Sequence, residues 1–431
     1  MRIRKGASGS KSRSSQKAAD ATKSRVAHAN LTQICVMDLP MSSRNSLAIV
    51  QVVQEFSRDG GVETVALELA KAFTRAGAHN CVVAAVVADD GETASEIEFV
   101  TPWLSRVPTR GAMRHIGRLV VMPIFTLAAT LALQRRARAT QIISHGDCLR
   151  GDILVVHAVN AESLAQKREA GDWRWRLNPM HYWVALRDRW MIGGLRYRKY
   201  VAVSARVRNE LQSHYNVPAE RIRIIYNGID LQRFQASEEA RAQIRGEFGI
   251  PPDARLLLFV GHEFARKGLA PLIEALALLD ERYWLAVVGS DNPARYKGLA
   301  AQAEGRLLFC GARRDVAAFY AAADAFALPT AYETFSLVCM EAMAAGLPVF
   351  ATRVGGIEDY LRDGVNGFTI ERNAKNIAEK LHSAFEDKER FATLRAGARS
   401  TAESFGWDSV ATKYLELLEE MQKEEASAAK R

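Results

Sequence analysis

Twice in this chain a short apolar run stops at a glycine-bearing turn and gives way to a helical period. That repetition limits the fold more than any other feature. The first instance is Leu47-Ala-Ile-Val-Gln-Val-Val53, then Ser57-Arg-Asp-Gly-Gly-Val-Glu63, then a period through Val65, Leu67, Leu69, Ala70 and Phe73; Gly77 closes the helix and Cys81-Val-Val-Ala-Ala-Val-Val87 follows. The second is Leu256-Leu-Leu-Phe-Val260 with Gly261, a helix from Leu269 to Leu279, and the run Trp284-Leu-Ala-Val-Val288 with Gly289. Leu307-Leu-Phe309, Ala325-Phe-Ala-Leu328 and Pro348-Val-Phe-Ala351 continue the series. Brief apolar runs bounded by turns suit strands buried on both faces, and strand, turn, helix, strand is the unit of a parallel doubly wound sheet. The predicted fold is therefore α/β, with two Rossmann-like doubly wound domains facing a cleft.

With 431 residues the chain is long enough for both. The expected division is a basic, disordered tail over 1–45, an acceptor-binding domain over 46–200, a nucleotide-binding domain over 201–400 and a helix over 401–431. The turn Tyr226-Asn-Gly-Ile-Asp230 marks the junction, and Val410, Tyr414, Leu415, Leu417, Leu418 and Met421 line the side of the last helix expected to pack back toward the N-terminal domain. The net charge of +9 is mostly the tail's, because residues 1–28 hold eight basic side chains against Asp20. This argues against a nucleic-acid-binding body, although the tail alone could meet RNA or anionic lipid. The five scattered cysteines contain no Cys-x-x-Cys, so neither a disulfide framework nor a structural zinc site is expected.

The chemistry concentrates in Tyr332-Glu-Thr-Phe-Ser-Leu-Val-Cys-Met-Glu-Ala-Met-Ala-Ala-Gly-Leu-Pro348. A helix opening at Ser336, a good N-cap residue, and stopping at Gly346 leaves Glu333 on the preceding loop and Glu341 inside it. Free N–H groups at such a helix start suit a phosphate, an interior carboxylate can hold a ribose diol, and a loop carboxylate can reach a sugar. An ordinary amphipathic helix with two solvated acids has the same pattern. Beyond the second glycine turn, Arg266 and Lys267 can neutralise a pyrophosphate, as a guanidinium fork and a point charge. Gly60 and Gly61 together favour close approach of the backbone to a ligand. His157 ends the apolar run Asp152-Ile-Leu-Val-Val-His157, where a lone histidine is most often a hydrogen-bonded structural residue; His145 is a weaker candidate.

Taken together, these residues resemble the retaining glycosyltransferases of family 4, whose paired Rossmann domains are called GT-B. The resemblance spans about residues 46–425, and the Glu-x7-Glu element with its trailing Ala-Gly-Leu-Pro-Val is its most specific part. It implies that Glu341 binds the donor ribose and that Arg266 and Lys267 hold the pyrophosphate. It also implies that Glu333, with the amides of Thr334, Phe335, Ser336 and Leu337, holds the transferred sugar and the phosphates. Gly60 and Gly61 would meet the phosphate across the cleft, and His157 would join Glu333 at the reacting sugar. Many members carry Arg where this chain has His262; Arg266 would supply that guanidinium, as in the lipopolysaccharide-core glucosyltransferase branch.

The resemblance makes the chain an enzyme that moves a hexose, with UDP-glucose as expected donor, onto a lipopolysaccharide-core or other envelope glycan. A soluble small-molecule acceptor is the alternative. No Asp-x-Asp occurs, so no metal or other cofactor is expected, with the Arg–Lys pair replacing a cation. Leu119–Leu133 is apolar but too short to span a bilayer, and reads equally as a core helix or an interfacial one. Trp173, Trp175, Trp183 and Trp190 fall among arginines, a mixture suited to headgroup depth or to a phosphorylated acceptor. Peripheral contact with an anionic membrane on its cytoplasmic face is the resulting expectation.

Overall fold

The computed structural model describes residues 48–58, 60–87, 96–107, 114–134, 140–169, 171, 173–303 and 305–430. The basic tail expected over 1–45 lies outside them.

The first lobe is a seven-stranded sheet. Its elements are β1 (Ala48–Val52), α1 (Gly61–Arg75), β2 (His79–Ala84), β3 (Glu96–Phe99), α2 (Arg114–Leu133), β4 (Thr140–Ser144), β5 (Gly151–Val156), α3 (Asn160–Glu169), α4 (Pro179–Asp188), β6 (Tyr197–Ala202), α5 (Ala205–Tyr215) and β7 (Ile222–Ile224). All strand pairs are parallel, in the order β3-β2-β1-β4-β5-β6-β7. The boundary expected at 200/201 cuts through β6, and β7 also pairs in this sheet. β6 is interrupted by Arg198 and Lys199, and β7 has three residues with Arg223 at its centre, so no apolar run announces them.

The second lobe runs through α6 (Glu238–Glu247), β8 (Arg255–Val260), α7 (Leu269–Leu278), β9 (Tyr283–Val288), β10 (Leu307–Gly311), α8 (Val316–Ala322), β11 (Ala325–Leu328), α9 (Leu337–Ala344), β12 (Val349–Ala351), β13 (Gly367–Thr369), α10 (Ala374–Glu386) and α11 (Lys388–Glu403). Its parallel order, β10-β9-β8-β11-β12-β13, repeats that of the first lobe. β13 is only three residues long, centred on a buried Phe368, and pairs with β12.

In each sheet the strand order reverses beside the first strand, between β1 and β4 and between β8 and β11. Such a switch point leaves a crevice beyond the carboxyl ends of the strands, where ligands of open α/β sheets bind. The glycine turns of both lobes sit at these points.

The chain crosses between lobes beyond Ile224, and Ile229 bridges to Gly406, which begins the return. A Cβ at Gly228 would lie 2.4 Å from the Trp407 ring, so only glycine lets the outgoing strand pass it. The final helix, α12 (Trp407–Ala429), buries Val410, Tyr414, Leu417, Leu418 and Met421. Tyr414 meets Phe73 of α1 edge to face at 6.1 Å, and Glu424 pairs with Lys199 at 3.2 Å, so α12 packs on the first lobe.

Candidate active site between the lobes

The second lobe brings a cluster of charged side chains to the end of its sheet. After β8 the backbone passes through Gly261 and then Glu263, which adopts the left-handed region (φ 54°) and starts the single turn Phe264–Lys267. A Cβ at Gly261 would lie 2.5 Å from Lys267 Cδ, so the glycine makes room for the lysine stem to lie across the strand end. Lys267 is buried and its Nζ donates to Glu333 Oε1 at 2.7 Å. Arg266 donates to the Tyr332 carbonyl at 2.6 Å and to Glu263 at 2.9 Å, and lies 3.7 Å from Glu333. Thus the cationic turn and the loop carboxylate, 66 residues apart in sequence, meet as one group.

Two further glycines seat the Glu333 loop. Cβ atoms at Gly355 and Gly356 would fall 1.5 Å from the Glu333 carbonyl oxygen and 2.6 Å from that of Thr334. The Val354-Gly-Gly segment therefore packs on the loop backbone itself.

Ser336 differs from its sequence reading. It precedes α9 but makes no side-chain cap bond; its φ is 67° and its hydroxyl donates to the Cys339 thiol at 3.3 Å. Holding a non-glycine residue there costs on the order of 1–3 kcal/mol, a strain that recurs at functional turns. Its effect is to swing the chain sharply into the helix. Among the described residues, the amides of Thr334, Phe335, Ser336 and Leu337 donate to no protein acceptor. Phe335 itself is buried against Tyr226 and Tyr360, so only its main chain can serve a ligand. Unpaired amides at a helix start beside a lysine and an arginine form an anion cradle.

Glu341 lies about one turn into α9. Burial pushes its carboxyl up from the usual range, and the Tyr320 hydroxyl, donating at 2.8 Å, pulls it back. Tyr320, on α8, is a site residue that the sequence reading missed. His262 bonds Ser290 at 2.8 Å, apart from this cluster.

The first lobe contributes its own turn. A Cβ at Gly60 would strike the Glu63 carboxylate at 2.1 Å, because that side chain folds back over the turn. A Cβ at Gly61 would meet only Leu337 Cδ1, at 3.8 Å. The double glycine thus faces the start of α9 directly, and the two lobes share one crevice.

His157 ends β5 at the same sheet edge. Its Nε2 is 3.1 Å from His145 Nδ1, and His145 Nε2 is 3.0 Å from Gln51 Oε1. Burial lowers both imidazoles, His157 to about 4 and His145 well below its ordinary value, with His157 adding to the latter. Gln51 was legible in principle, as the single polar side chain in an otherwise apolar strand.

The match to known proteins follows this architecture. A profile described as Glycosyltransferase Family 4 covers residues 59–233, and one described as Glycosyl transferases group 1 covers 240–401. A D-inositol 3-phosphate glycosyltransferase of Xylanimonas cellulosilytica is 34% identical over 235 residues, 50% of this chain and 55% of the relative. One from Streptomyces bingchenggensis is 35% identical over 225 residues, 47% of this chain and 48% of the relative. The chain therefore spans about half the length of these curated relatives. Among solved structures, WaaG, a glycosyltransferase involved in lipopolysaccharide biosynthesis, superposes with a TM-score of 0.69 at 25% identity, over 86% of this chain and 99% of WaaG. Anabaena HepE in complex with UDP and glucose gives 0.64 at 19% identity, over 86% and 99%. The chain is thus a glycosyltransferase family 4 domain followed by a group 1 glycosyltransferase domain, in the GT-B arrangement.

Proposed function

We propose that the protein transfers a hexose from a nucleoside-diphosphate sugar to a hydroxyl of a soluble small-molecule acceptor. One observation carries the donor reading: Lys267, Arg266, Glu333 and the unpaired amides of 334–337 converge opposite Gly61. The diphosphate lies on that cradle, Glu341 accepts from the ribose hydroxyls, and Glu333 and His157 face the sugar. Glu333 holds the lysine in place as it reaches the sugar. UDP-glucose is the donor assigned first, by the family resemblance.

In the retaining course that the resemblance implies, the acceptor hydroxyl attacks from the face that the nucleotide leaves. The leaving phosphate can take the acceptor proton, so no strong protein base is required. Catalysis then consists of positioning and of stabilising the negative charge that grows on the diphosphate. Lys267 and Arg266 supply the opposing positive charge from a partly dry site, and no metal enters this reading.

The small-molecule acceptor is supported by the inositol-phosphate glycosyltransferases among the relatives. An envelope acceptor is the second reading, favoured by WaaG and by one surface. On α2, Val121, Phe125, Ala129 and Leu133 are buried while Val120, Leu127 and Leu131 are exposed; Leu186 of α4 and Trp190 just beyond it, under the Arg196 guanidinium at 4.6 Å, are exposed too. No helix among the described residues is long and apolar enough to cross a membrane, so such contact would be peripheral.

A thermal-shift panel of UDP-, GDP- and ADP-sugars tests the donor. The expected result is a rise in Tm with UDP-glucose; no response to any of the three contradicts the proposal. Flotation with anionic vesicles at physiological salt separates the acceptor readings, because binding favours the envelope glycan and its absence the soluble acceptor.

A further inference from the structure

The buried polar chain behind His157 has a direction, and the direction can be read from one fixed end. The Ala70 carbonyl of α1 can only accept a hydrogen bond, so Asn80 turns Nδ2 toward it, at 3.5 Å. Asn80 Oδ1 is then left to accept from Gln51 Nε2, also at 3.5 Å. This turns Gln51 Oε1 toward His145, whose Nε2 must carry the proton to reach it at 3.0 Å. His145 Nδ1 is consequently bare and accepts from His157 Nε2 at 3.1 Å. The ring planes differ by 21° with centroids 5.4 Å apart, so the two nitrogens meet edge to edge rather than face to face. Burial keeps both rings neutral, so each carries a single N–H and the direction has consequences.

We propose that Gln51 and His145 are positioning residues that fix His157 as the Nε2–H tautomer, so that its bare Nδ1 accepts a hydrogen bond from a hydroxyl of the bound donor hexose. Reversing the chain would turn Nδ1 into a donor, which cannot hold a hydroxyl proton. Gln51 is fully buried and His145 nearly so; neither needs to touch the substrate. The geometry of the relay stands by itself, and its catalytic use rests on the donor reading above.

The test uses the full chain with 15N-labelled histidine and long-range 1H–15N correlation spectra at neutral pH. The expected result is a protonated Nε2 and a bare Nδ1 on both His145 and His157. Gln51→Leu, close in size, should leave His157 as a tautomer mixture. It should also lower the release of UDP from UDP-glucose about tenfold, with UDP affinity by calorimetry unchanged. A packing role alone would lower turnover without altering the tautomer of His157. A protonated Nδ1 on His157 in the unaltered protein overturns the proposal. So does a Gln51→Leu protein that keeps both the tautomer and the turnover. If the unaltered protein releases no UDP from UDP-glucose, the donor reading fails, while the spectra still decide the relay.

Discussion

The two lobes reach the same crevice with the same strand order but with opposite chemistry. The second lobe presents fixed charge where the diphosphate would lie: the Lys267–Glu333 pair at 2.7 Å and Arg266 braced on the Tyr332 carbonyl. The first lobe presents groups whose charged forms burial suppresses. His145 and His157 are pushed down, and the carboxyls of Glu63 and Asp147 are pushed up. The difference assigns the diphosphate to one side. A second set of strong charges across the crevice would compete for the cation or the phosphate, whereas neutral donors and acceptors can sort hydroxyls without disturbing either.

The comparison breaks most visibly at Lys267. Lys267→Ala removes the buried cation and leaves Glu333 facing Arg266 alone; kcat/KM for UDP-glucose should fall about 10²-fold, roughly 3 kcal/mol of transition-state stabilisation. A steady-state assay of UDP release measures it, and a loss below threefold would move the charge stabilisation elsewhere. On the neutral side, His157→Ala should lower kcat about tenfold while UDP affinity stays within twofold. If affinity falls in parallel with kcat, the imidazole serves binding and the lobes differ less than argued. Tyr320→Phe sharpens the charged side: it removes one hydrogen bond to the Glu341 carboxylate, worth about 1 kcal/mol, so UDP affinity should drop about fivefold by calorimetry.

The smallest effect concerns stability against pH. His157 binds its proton near pH 4 when folded and near 6.5 when unfolded, so the unfolded chain takes up protons first as the pH falls. His157 therefore contributes stability that is complete above pH 6.5 and lost as pH falls from there toward 4. Between pH 7 and 5.5 the loss from one such residue is about 1 kcal/mol. Denaturant titrations of the unaltered protein and of His157→Gln at both values should show a smaller pH effect in the variant; equal effects would mean that the imidazole is not held neutral by the fold.

Strands β8, β9, β11 and β12 were legible in the sequence because burial on both faces demands apolar runs, and β1 was legible although Gln51 interrupts its run. β7 and β13 were not, because three-residue edge strands need only a few pairing residues, and β6 was not, because Arg198 and Lys199 break its apolar run. The Glu333–Glu341 spacing pointed to the site, yet the turn at Ser336 did not read as left-handed, since serine more often caps a helix through its side chain. Lys267 meeting Glu333 depends on where β8 and β11 lie side by side, which no local pattern states. Tyr320 and the orientation of Gln51 are likewise products of packing, although a glutamine within an apolar strand was a usable sign.

Calorimetry of UDP binding to the full chain and to Glu341→Ala tests the shared crevice most directly. The account predicts binding to the unaltered protein and an affinity at least tenfold weaker in the variant, the equivalent of about 1.4 kcal/mol for losing a carboxylate's hold on a ribose diol. Equal affinity in the two proteins, or no UDP binding to either, would contradict it.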